Sequence, residues 1–192
     1  MATPLSRWFS VLPPLGAAAL SCMSACSKAT ADSQQPAPAA QALAAAAPLA
    51  AGAPAPEVTF AVHTGESLTL ASLRGKPVVV YFYPKDDTPG CTVEAQEIRD
   101  LYQQLSGTGA VVIGVSTDGR DSHKAFAEKH ALPFLLASDE SGALARAFGV
   151  PLKNGRATRV SFVVGADGRI KQSFPSVTPK GHAQELLSAI SS

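Results

Sequence analysis

Cys91 is the residue of this 192-residue chain whose position is best suited to chemistry. It follows a loop over residues 83–90 and stands at the start of a predicted helix. The leading backbone N–H groups of a helix are unpaired and its dipole is positive there, so a thiolate at this position is stabilised. Loops that leave the carboxyl end of a strand are also where α/β proteins place ligands. The pattern predicts a reactive, nucleophilic sulfur.

Two hydrophobic patterns position this cysteine. Residues 78–83 form a short β-branched and aromatic run without polar alternation, which is typical of a central strand covered on both faces. After the loop, apolar residues recur at helical spacing up to the glycines at 107 and 109; they are Ala95, Ile98, Tyr102 and Leu105. The order of strand, loop and helix places Cys91 at the mouth of the helix.

The rest of the chain predicts a mixed sheet with helices on both faces. Strands are predicted at 58–62, 67–70, 110–115, 134–136, 160–164 and 170–174, and helices at 121–130, 140–148 and 179–190. Ser138 or Asp139 is expected to cap the second of these helices. Asp167-Gly168 is a strong hairpin signal, so the last two strands should be antiparallel. These features indicate an α/β protein with a thioredoxin-like fold, in which a central mixed β-sheet is flanked by helices.

Pro84, Thr88 and Cys91 form the pattern P-x-x-x-T-x-x-C, which resembles the signature of peroxiredoxins. Further blocks resemble the Q subfamily, also called bacterioferritin-comigratory proteins. In chain order these blocks are Tyr81-Phe82-Tyr83-Pro84, Thr88-Pro89-Gly90-Cys91-Thr92 with Glu94, Gly114-Val115-Ser116-Thr117-Asp118 and Arg159-Val160-Ser161-Phe162. The similarity covers the whole predicted folded unit, and several ordered blocks are far more specific than a single cysteine motif.

The resemblance implies a role for each site residue. Cys91 is expected to attack the peroxide and become a sulfenic acid. The Thr88 hydroxyl and loop amides such as that of Gly90 would hold the peroxide oxygens, and Pro84 would shield the sulfur. Arg159 would supply positive charge to the departing oxygen. The implied activity is reduction of hydrogen peroxide and organic hydroperoxides by a thiol-dependent peroxidase without a cofactor.

The chain lacks the second cysteine that many relatives use. Gln96 stands five residues after Cys91, where some carry a resolving cysteine, and Ala127 or its neighbours stand where others do. The resemblance therefore implies a one-cysteine enzyme whose sulfenic acid is reduced by an external thiol, such as thioredoxin or a periplasmic equivalent. It also suggests a monomer.

Other functions stay open beside the peroxidase. A peroxide sensor that signals through oxidised Cys91 is one alternative, and a thiol-disulfide oxidoreductase is another. The second normally needs C-x-x-C, and Thr88 stands where the partner cysteine would be. Structural interpretations also remain for single residues: Thr88 could bond its own backbone, and Arg159 could be a surface charge.

The charged residues beside the motif and the four histidines predict no additional site. Residues 85–87 are interpreted as a solvated face, and Glu94 as complementing the helix dipole. The four histidines have no ligand spacing, so no metal site is predicted; they are His63, His123, His130 and His182. A net charge of +1 with scattered basic residues argues against nucleic-acid binding.

The N-terminal residues have the composition of a leader and a tether. Residues 1–26 resemble an export signal that ends in Met23-Ser24-Ala25-Cys26, which is similar to a bacterial lipobox with Cys26 as the lipidated residue. Plain secretion after residues 29–31 and retention of the segment are the alternatives. Residues 27–56, rich in alanine and proline, are predicted to be a disordered linker before a folded domain at 57–192. The expected location is the periplasm.

Overall fold

The computed structural model describes residues 47–192. The predicted leader at 1–26, with Cys26 and the lipobox, and most of the predicted linker lie outside the described residues. The strands of the described part are β1 Phe60–Val62, β2 Ser67–Leu68, β3 Val78–Phe82, β4 Val111–Ser116, β5 Leu135–Ser138, β6 Leu152–Lys153, β7 Arg156–Ala157, β8 Val160–Val164 and β9 Ile170–Phe174. Its α-helices are α1 Pro89–Asp100, α2 Tyr102–Gly107, α3 Arg120–His130, α4 Ala143–Ala147 and α5 His182–Ser191. None of these helices has the length and apolar character needed to cross a membrane.

Seven strands form one mixed sheet in the order β2-β1-β5-β4-β3-β8-β9. Strands β3, β4 and β5 are parallel, and β8 pairs antiparallel with both β3 and β9. All five residues of β3 are buried, as expected for a central strand covered on both faces. The predicted antiparallel hairpin at Asp167-Gly168 is confirmed, and the mixed sheet with flanking helices confirms the predicted fold class.

The two faces of the sheet carry separate hydrophobic cores, because successive residues of a strand point to opposite faces. Val78, Val80 and Phe82 pack on one face, where α4 also lies. Val79 and Tyr81 point to the other face, which is covered by residues of α1, α2, α3 and α5 and contains Cys91. The site therefore lies on the helix-rich face.

The folded unit begins before the predicted boundary at residue 57. Leu49 N–H donates to the carbonyl of Phe148 at 3.1 Å, and the segment 52–55 exchanges backbone hydrogen bonds with Gly168 and Ile170. Leu49, Ala53 and Ala55 also pack against the first core. The composition of this segment, rich in alanine and proline, predicts a spacer. Its backbone groups nevertheless form hydrogen bonds with residues at and just before the start of β9. The predicted linker therefore differs from the structure over these residues.

Three local features also differ from the predictions. The predicted loop before Thr158 contains a small antiparallel hairpin of β6 and β7. The predicted helix at 140–148 shortens to α4, because Gly142 precedes it with φ at +70°. The N-cap residue is Gly142 and not the predicted Ser138 or Asp139, although the Asp139 carboxylate accepts from Leu144 N at 3.0 Å and Ala145 N at 2.8 Å. The single helix expected after Cys91 is divided at Leu101 into α1 and α2.

Candidate active site

Cys91 lies in the first turn of α1. Thr88 is the N-cap residue with an extended backbone, and Pro89 follows as the first helical residue, where its fixed φ and missing N–H are tolerated. Cys91 is then the third residue of the helix, close to the unpaired amides and the positive end of the dipole. The predicted position of the sulfur at the helix mouth is confirmed.

Two side chains converge on the sulfur. Thr88 Oγ1 lies 2.9 Å from Cys91 Sγ, and Arg159 Nη2 lies 3.2 Å from it. The guanidinium is always a donor, and the hydroxyl can donate, so both groups can direct a hydrogen bond at the sulfur. Cys91 is only 2% exposed. The structure thus brings together three of the residues that the sequence singles out.

The Thr88 hydroxyl has two acceptors within reach. Besides the sulfur, its Oγ1 lies 3.0 Å from the carbonyl oxygen of Lys85. A hydroxyl has one proton, so donation to the sulfur and donation to the carbonyl exclude each other. The structure therefore places both acceptors, the sulfur and the loop carbonyl, within reach of a hydroxyl that can donate to only one of them at a time.

Glu94 belongs to the site, although the sequence suggested only a dipole role for it. Its Oε2 accepts from Arg159 Nη1 at 2.5 Å, and the residue is 1% exposed. Burial raises the pKa of Glu94 from 4.5 to about 7, although the charge of Arg159 acts in the opposite direction. The signal in the sequence was its spacing: three residues after Cys91, it lies on the same helical face.

Gly90 leaves room for the guanidinium. A Cβ atom at Gly90 would lie 2.9 Å from Arg159 Nη2 and 3.7 Å from Pro179 Cγ. Any side chain at this position would therefore push Arg159 away from its place beside the sulfur. Pro84 is half-buried directly after the buried Tyr83. Its role as a shield for the sulfur stays a prediction.

The predicted solvated face at 85–87 is wrong for its central residue. Asp86 is 6% exposed, whereas Lys85 and Asp87 are exposed. Asp87 pairs with Lys129 at 2.5 Å and with His130 at 3.0 Å on α3. The loop is therefore attached to the body of the protein on both its inner and its outer side.

Cys91 is the only cysteine in the described part of the chain. Gln96 lies on α1 with its amide 3.4 Å from His130 Nδ1, and Ala127 is buried on α3. Neither position offers a thiol. Within residues 47–192, the oxidised sulfur has no intramolecular partner for a disulfide.

The arrangement suits reduction of an O–O bond by a thiolate. Attack on such a bond develops negative charge on the departing oxygen, and a guanidinium with a hydroxyl beside the sulfur can stabilise that charge. Because these donors are already in place, little reorganisation is needed as the charge develops.

The chain also matches known proteins. Residues 51–173 match the model of the AhpC/TSA family. The chain is 40% identical over 143 residues to peroxiredoxin Bcp of Bacillus subtilis, covering 71% of this chain and 91% of that protein. It is 41% identical over 140 residues to the chloroplastic peroxiredoxin Q of Gentiana triflora, covering 71% of this chain and 64% of the plant protein.

A solved structure has the same fold. The bacterioferritin comigratory protein of Xanthomonas campestris, which has alkyl peroxide reduction activity, superposes with a TM-score of 0.68 at 34% sequence identity. The match covers 73% of this chain and 97% of that one.

Proposed function

Because the chain belongs to the AhpC/TSA family, within its peroxiredoxin Q group, it is a thiol-dependent peroxidase, and we propose that Cys91 is the sulfur that attacks the peroxide. One observation supports this assignment above the others. The buried Sγ lies in the first turn of α1, 2.9 Å from Thr88 Oγ1 and 3.2 Å from Arg159 Nη2.

The proposed reaction begins with the thiolate of Cys91. Its Sγ attacks one oxygen of the peroxide, so an S–O bond forms and the O–O bond breaks. The electron pair of the broken bond leaves with the second oxygen, which takes a proton from water and becomes water or an alcohol. The sulfur is oxidised by two electrons to a sulfenic acid, and the peroxide is reduced by two.

Arg159 and Thr88 supply most of the acceleration in this proposal. Ionisation of a thiol alone gives little net rate, because the nucleophilicity of a thiolate falls as the thiolate becomes easier to form. Donors that face the departing oxygen act mainly in the transition state and therefore raise the rate itself. Gly90 contributes by leaving space for Arg159, and Pro84 limits access of water to the sulfur.

We propose that the enzyme accepts both hydrogen peroxide and organic hydroperoxides. The donors beside Cys91 address the O–O group, which these substrates share. The alkyl peroxide reduction activity of the Xanthomonas campestris relative supports the organic substrates.

The proposed recycling step uses an external thiol. With Cys91 as the only thiol of the described domain, the sulfenic acid must be attacked by a thiol of another molecule, such as thioredoxin or a periplasmic equivalent. A peroxide sensor would share the first step but would not turn over repeatedly. A thiol-disulfide oxidoreductase is disfavoured, because Thr88 replaces the second cysteine of C-x-x-C.

The sequence of residues 1–46 is the basis for a proposal about where the protein is located in the cell. We propose export to the periplasm, with lipidation of Cys26 as the membrane anchor and the domain as a monomer. The lipobox-like sequence at 23–26 supports lipidation. Fatty-acid labelling of wild type and Cys26→Ser tests the anchor, and sedimentation of the domain tests the monomer.

Peroxide consumption under multiple turnover tests the central assignment. Residues 47–192, as wild type and as Cys91→Ser, are compared with thioredoxin, glutathione and a small dithiol as alternative donors. Wild type should consume many equivalents of peroxide with at least one donor, and Cys91→Ser should consume none. Equal activity of the two proteins would exclude Cys91 as the nucleophile, and a single turnover with every donor would favour the sensor.

A further inference from the structure

A cluster of buried polar groups lies beneath the loop that carries Thr88. Its centre is the Asp86 carboxylate, which accepts a hydrogen bond from Tyr83 Oη at 2.7 Å and one from Ser122 Oγ at 2.7 Å. His123 Nδ1 lies 3.1 Å from Oδ1 and 3.0 Å from Oδ2 of the same carboxylate. Both oxygens of Asp86 are therefore satisfied inside the protein.

His123 connects the Asp86 carboxylate to a strand of the sheet. Its Nδ1 faces the Asp86 carboxylate, and its Nε2 lies 3.1 Å from the carbonyl oxygen of Ala137 on β5. Tyr83 Oη is a third polar neighbour of the ring, 3.3 Å from Nδ1. His123 is fully buried, at 0% exposure. The ring is thus enclosed against the carboxylate, and β5 holds its other side.

The neighbouring groups favour an ionised Asp86 at the centre of the cluster. Burial acts to raise the pKa of Asp86, but hydrogen bonds from His123, Ser122 and Tyr83 outweigh it and hold the pKa below its usual range. Burial raises the pKa of Tyr83 well above 10, so its phenol stays a donor. The pKa of His63 is lowered by burial and also by the charge of His123.

The same residue is also held through its backbone. Asp86 N–H donates to Asp118 Oδ2 at 2.8 Å, and that oxygen accepts a further bond from Ser116 Oγ at 2.8 Å. The next residue, Asp87, has a left-handed φ of +56°, and Thr88 follows it. The path of the chain into Thr88 is therefore fixed from the residue two positions earlier.

We propose that His123 and Asp86 are positioning residues for the peroxide reaction, because their buried hydrogen-bonded contact holds the loop in the position from which the Thr88 hydroxyl reaches Cys91. This inference rests on the proposed function of Cys91. The loop path gives the reason: Thr88 Oγ1 can turn to the sulfur or to the Lys85 carbonyl, and a small displacement of the loop changes which acceptor is nearer. Misplacement of a reacting group by about 1 Å can cost a factor of roughly 100 in rate.

A purely structural role of the pair makes a different prediction. A buried hydrogen-bonded pair that only stabilises the fold would change the melting temperature when broken, and the peroxide rate of the folded protein would not change. A positioning role would change the rate only as long as Thr88 has a hydroxyl to position. The effect of Thr88→Val on the variants therefore separates the two roles.

The test measures the rate of sulfenic acid formation in a single turnover. The protein is the full chain with Cys22 and Cys26 replaced by serine, and the variants are Asp86→Asn and His123→Gln. Each should lower the rate about tenfold or more with a Thr88 hydroxyl present, and by no more than about twofold in the Thr88→Val background. Equal losses in both backgrounds, or no loss in either, would overturn the inference.

Two controls keep the test decisive. Phe148→Leu, in the core on the opposite face, should lower the melting temperature without changing the rate. If either pair variant fails to fold, Ser122→Ala removes one bond to Asp86 from a residue at the exposed start of α3 and should lower the rate roughly threefold, again only with Thr88 present. An unchanged rate in Ser122→Ala would then overturn the inference. If wild type itself does not react through Cys91, the proposed function fails as well.

Discussion

Arg159, which immediately precedes β8, places a guanidinium nitrogen 3.2 Å from the sulfur of Cys91, 68 residues earlier in the chain. The contact is possible because β8 pairs antiparallel with β3, and the loop after β3 leads into the helix that carries the sulfur. Two remote segments thus meet at one atom through the order of the sheet.

Arg159→Ala should lower the rate of peroxide reaction by a factor of about 100 to 1,000, the loss seen when one donor to a developing oxyanion is removed. The rate is measured by stopped-flow with hydrogen peroxide. The rate at which iodoacetamide alkylates Cys91 depends on the thiolate but involves no departing oxygen. That rate should therefore fall much less. Equal losses in both reactions would mean that Arg159 acts on the thiolate and not on the departing oxygen.

Gly90→Ala should lower the peroxide rate about tenfold with little effect on stability, because the added Cβ displaces the flexible end of Arg159. Gly107→Ala is the matched control, since Gly107 also lies in a helix and its Cβ would meet nothing within 4 Å. That variant should keep the full rate and gain up to about 1 kcal/mol of stability. The same rate in both variants would exclude steric displacement of Arg159.

Glu94→Gln should change the pH dependence of stability. Glu94 has a raised pKa of about 7 in the folded protein and an ordinary value of 4.5, so between these values the folded state holds a proton that the unfolded state has lost. Wild-type stability from this group therefore falls as pH rises and levels off above about 7. Relative to Glu94→Gln, wild type should lose roughly 2 to 3 kcal/mol between about pH 5 and 8, measured by urea unfolding. If the free energies of unfolding of wild type and Glu94→Gln changed with pH in parallel, the raised pKa of Glu94 would be contradicted.

Peroxide treatment of the chain with Cys22 and Cys26 replaced by serine should add one oxygen atom to the peptide that contains Cys91. Excess peroxide should add a second and a third oxygen, because no internal thiol traps the sulfenic acid. Mass spectrometry without reductant distinguishes the three products by their mass. The variant Gln96→Cys is an informative comparison. A disulfide between Cys91 and the new thiol would show that only the missing thiol prevents internal trapping of the sulfenic acid.

A chain that begins at residue 57 should be less stable than one that begins at residue 47. The shorter chain loses the backbone hydrogen bonds of segment 49–55 and the packing of Leu49 against the first core. We expect a loss of roughly 2 to 4 kcal/mol, since each such bond contributes about 1 kcal/mol and an apolar side chain adds to it. Chemical denaturation compares the two chains. Equal midpoints would show that the segment contributes nothing.

The elements around the site were predictable because each depends on a local pattern. The apolar run of β3 predicts a central strand, and the Asp167-Gly168 pair predicts the hairpin of β8 and β9. The position of Cys91 at the start of α1 followed from the change from the continuous apolar run of β3 to the helical spacing of apolar residues after the loop. The pairing of Arg159 with the sulfur came from family resemblance, since no local pattern connects residues so far apart in sequence.

The residues that sequence reasoning misjudged owe their environment to tertiary contacts. Asp86 lies between two exposed charged residues, yet α3 covers it with Ser122 and His123. Glu94 looks in the sequence like an ordinary charged helix residue, yet Arg159, just before β8, pairs with it. Burial of a charged side chain is decided by the partner that covers it, and the partner is remote in sequence in both cases.

Cys91 is only 2% exposed, so the size of a reaction partner affects how easily it reaches the sulfur. The two partners are the peroxide and the recycling thiol. A peroxide is only a few atoms across, whereas the thiol of a protein reductant is surrounded by the surface of that protein. The recycling thiol must also approach the sulfur in line with the bond that it breaks. Burial of the sulfur should therefore slow recycling by a protein thiol more than recycling by a small-molecule thiol.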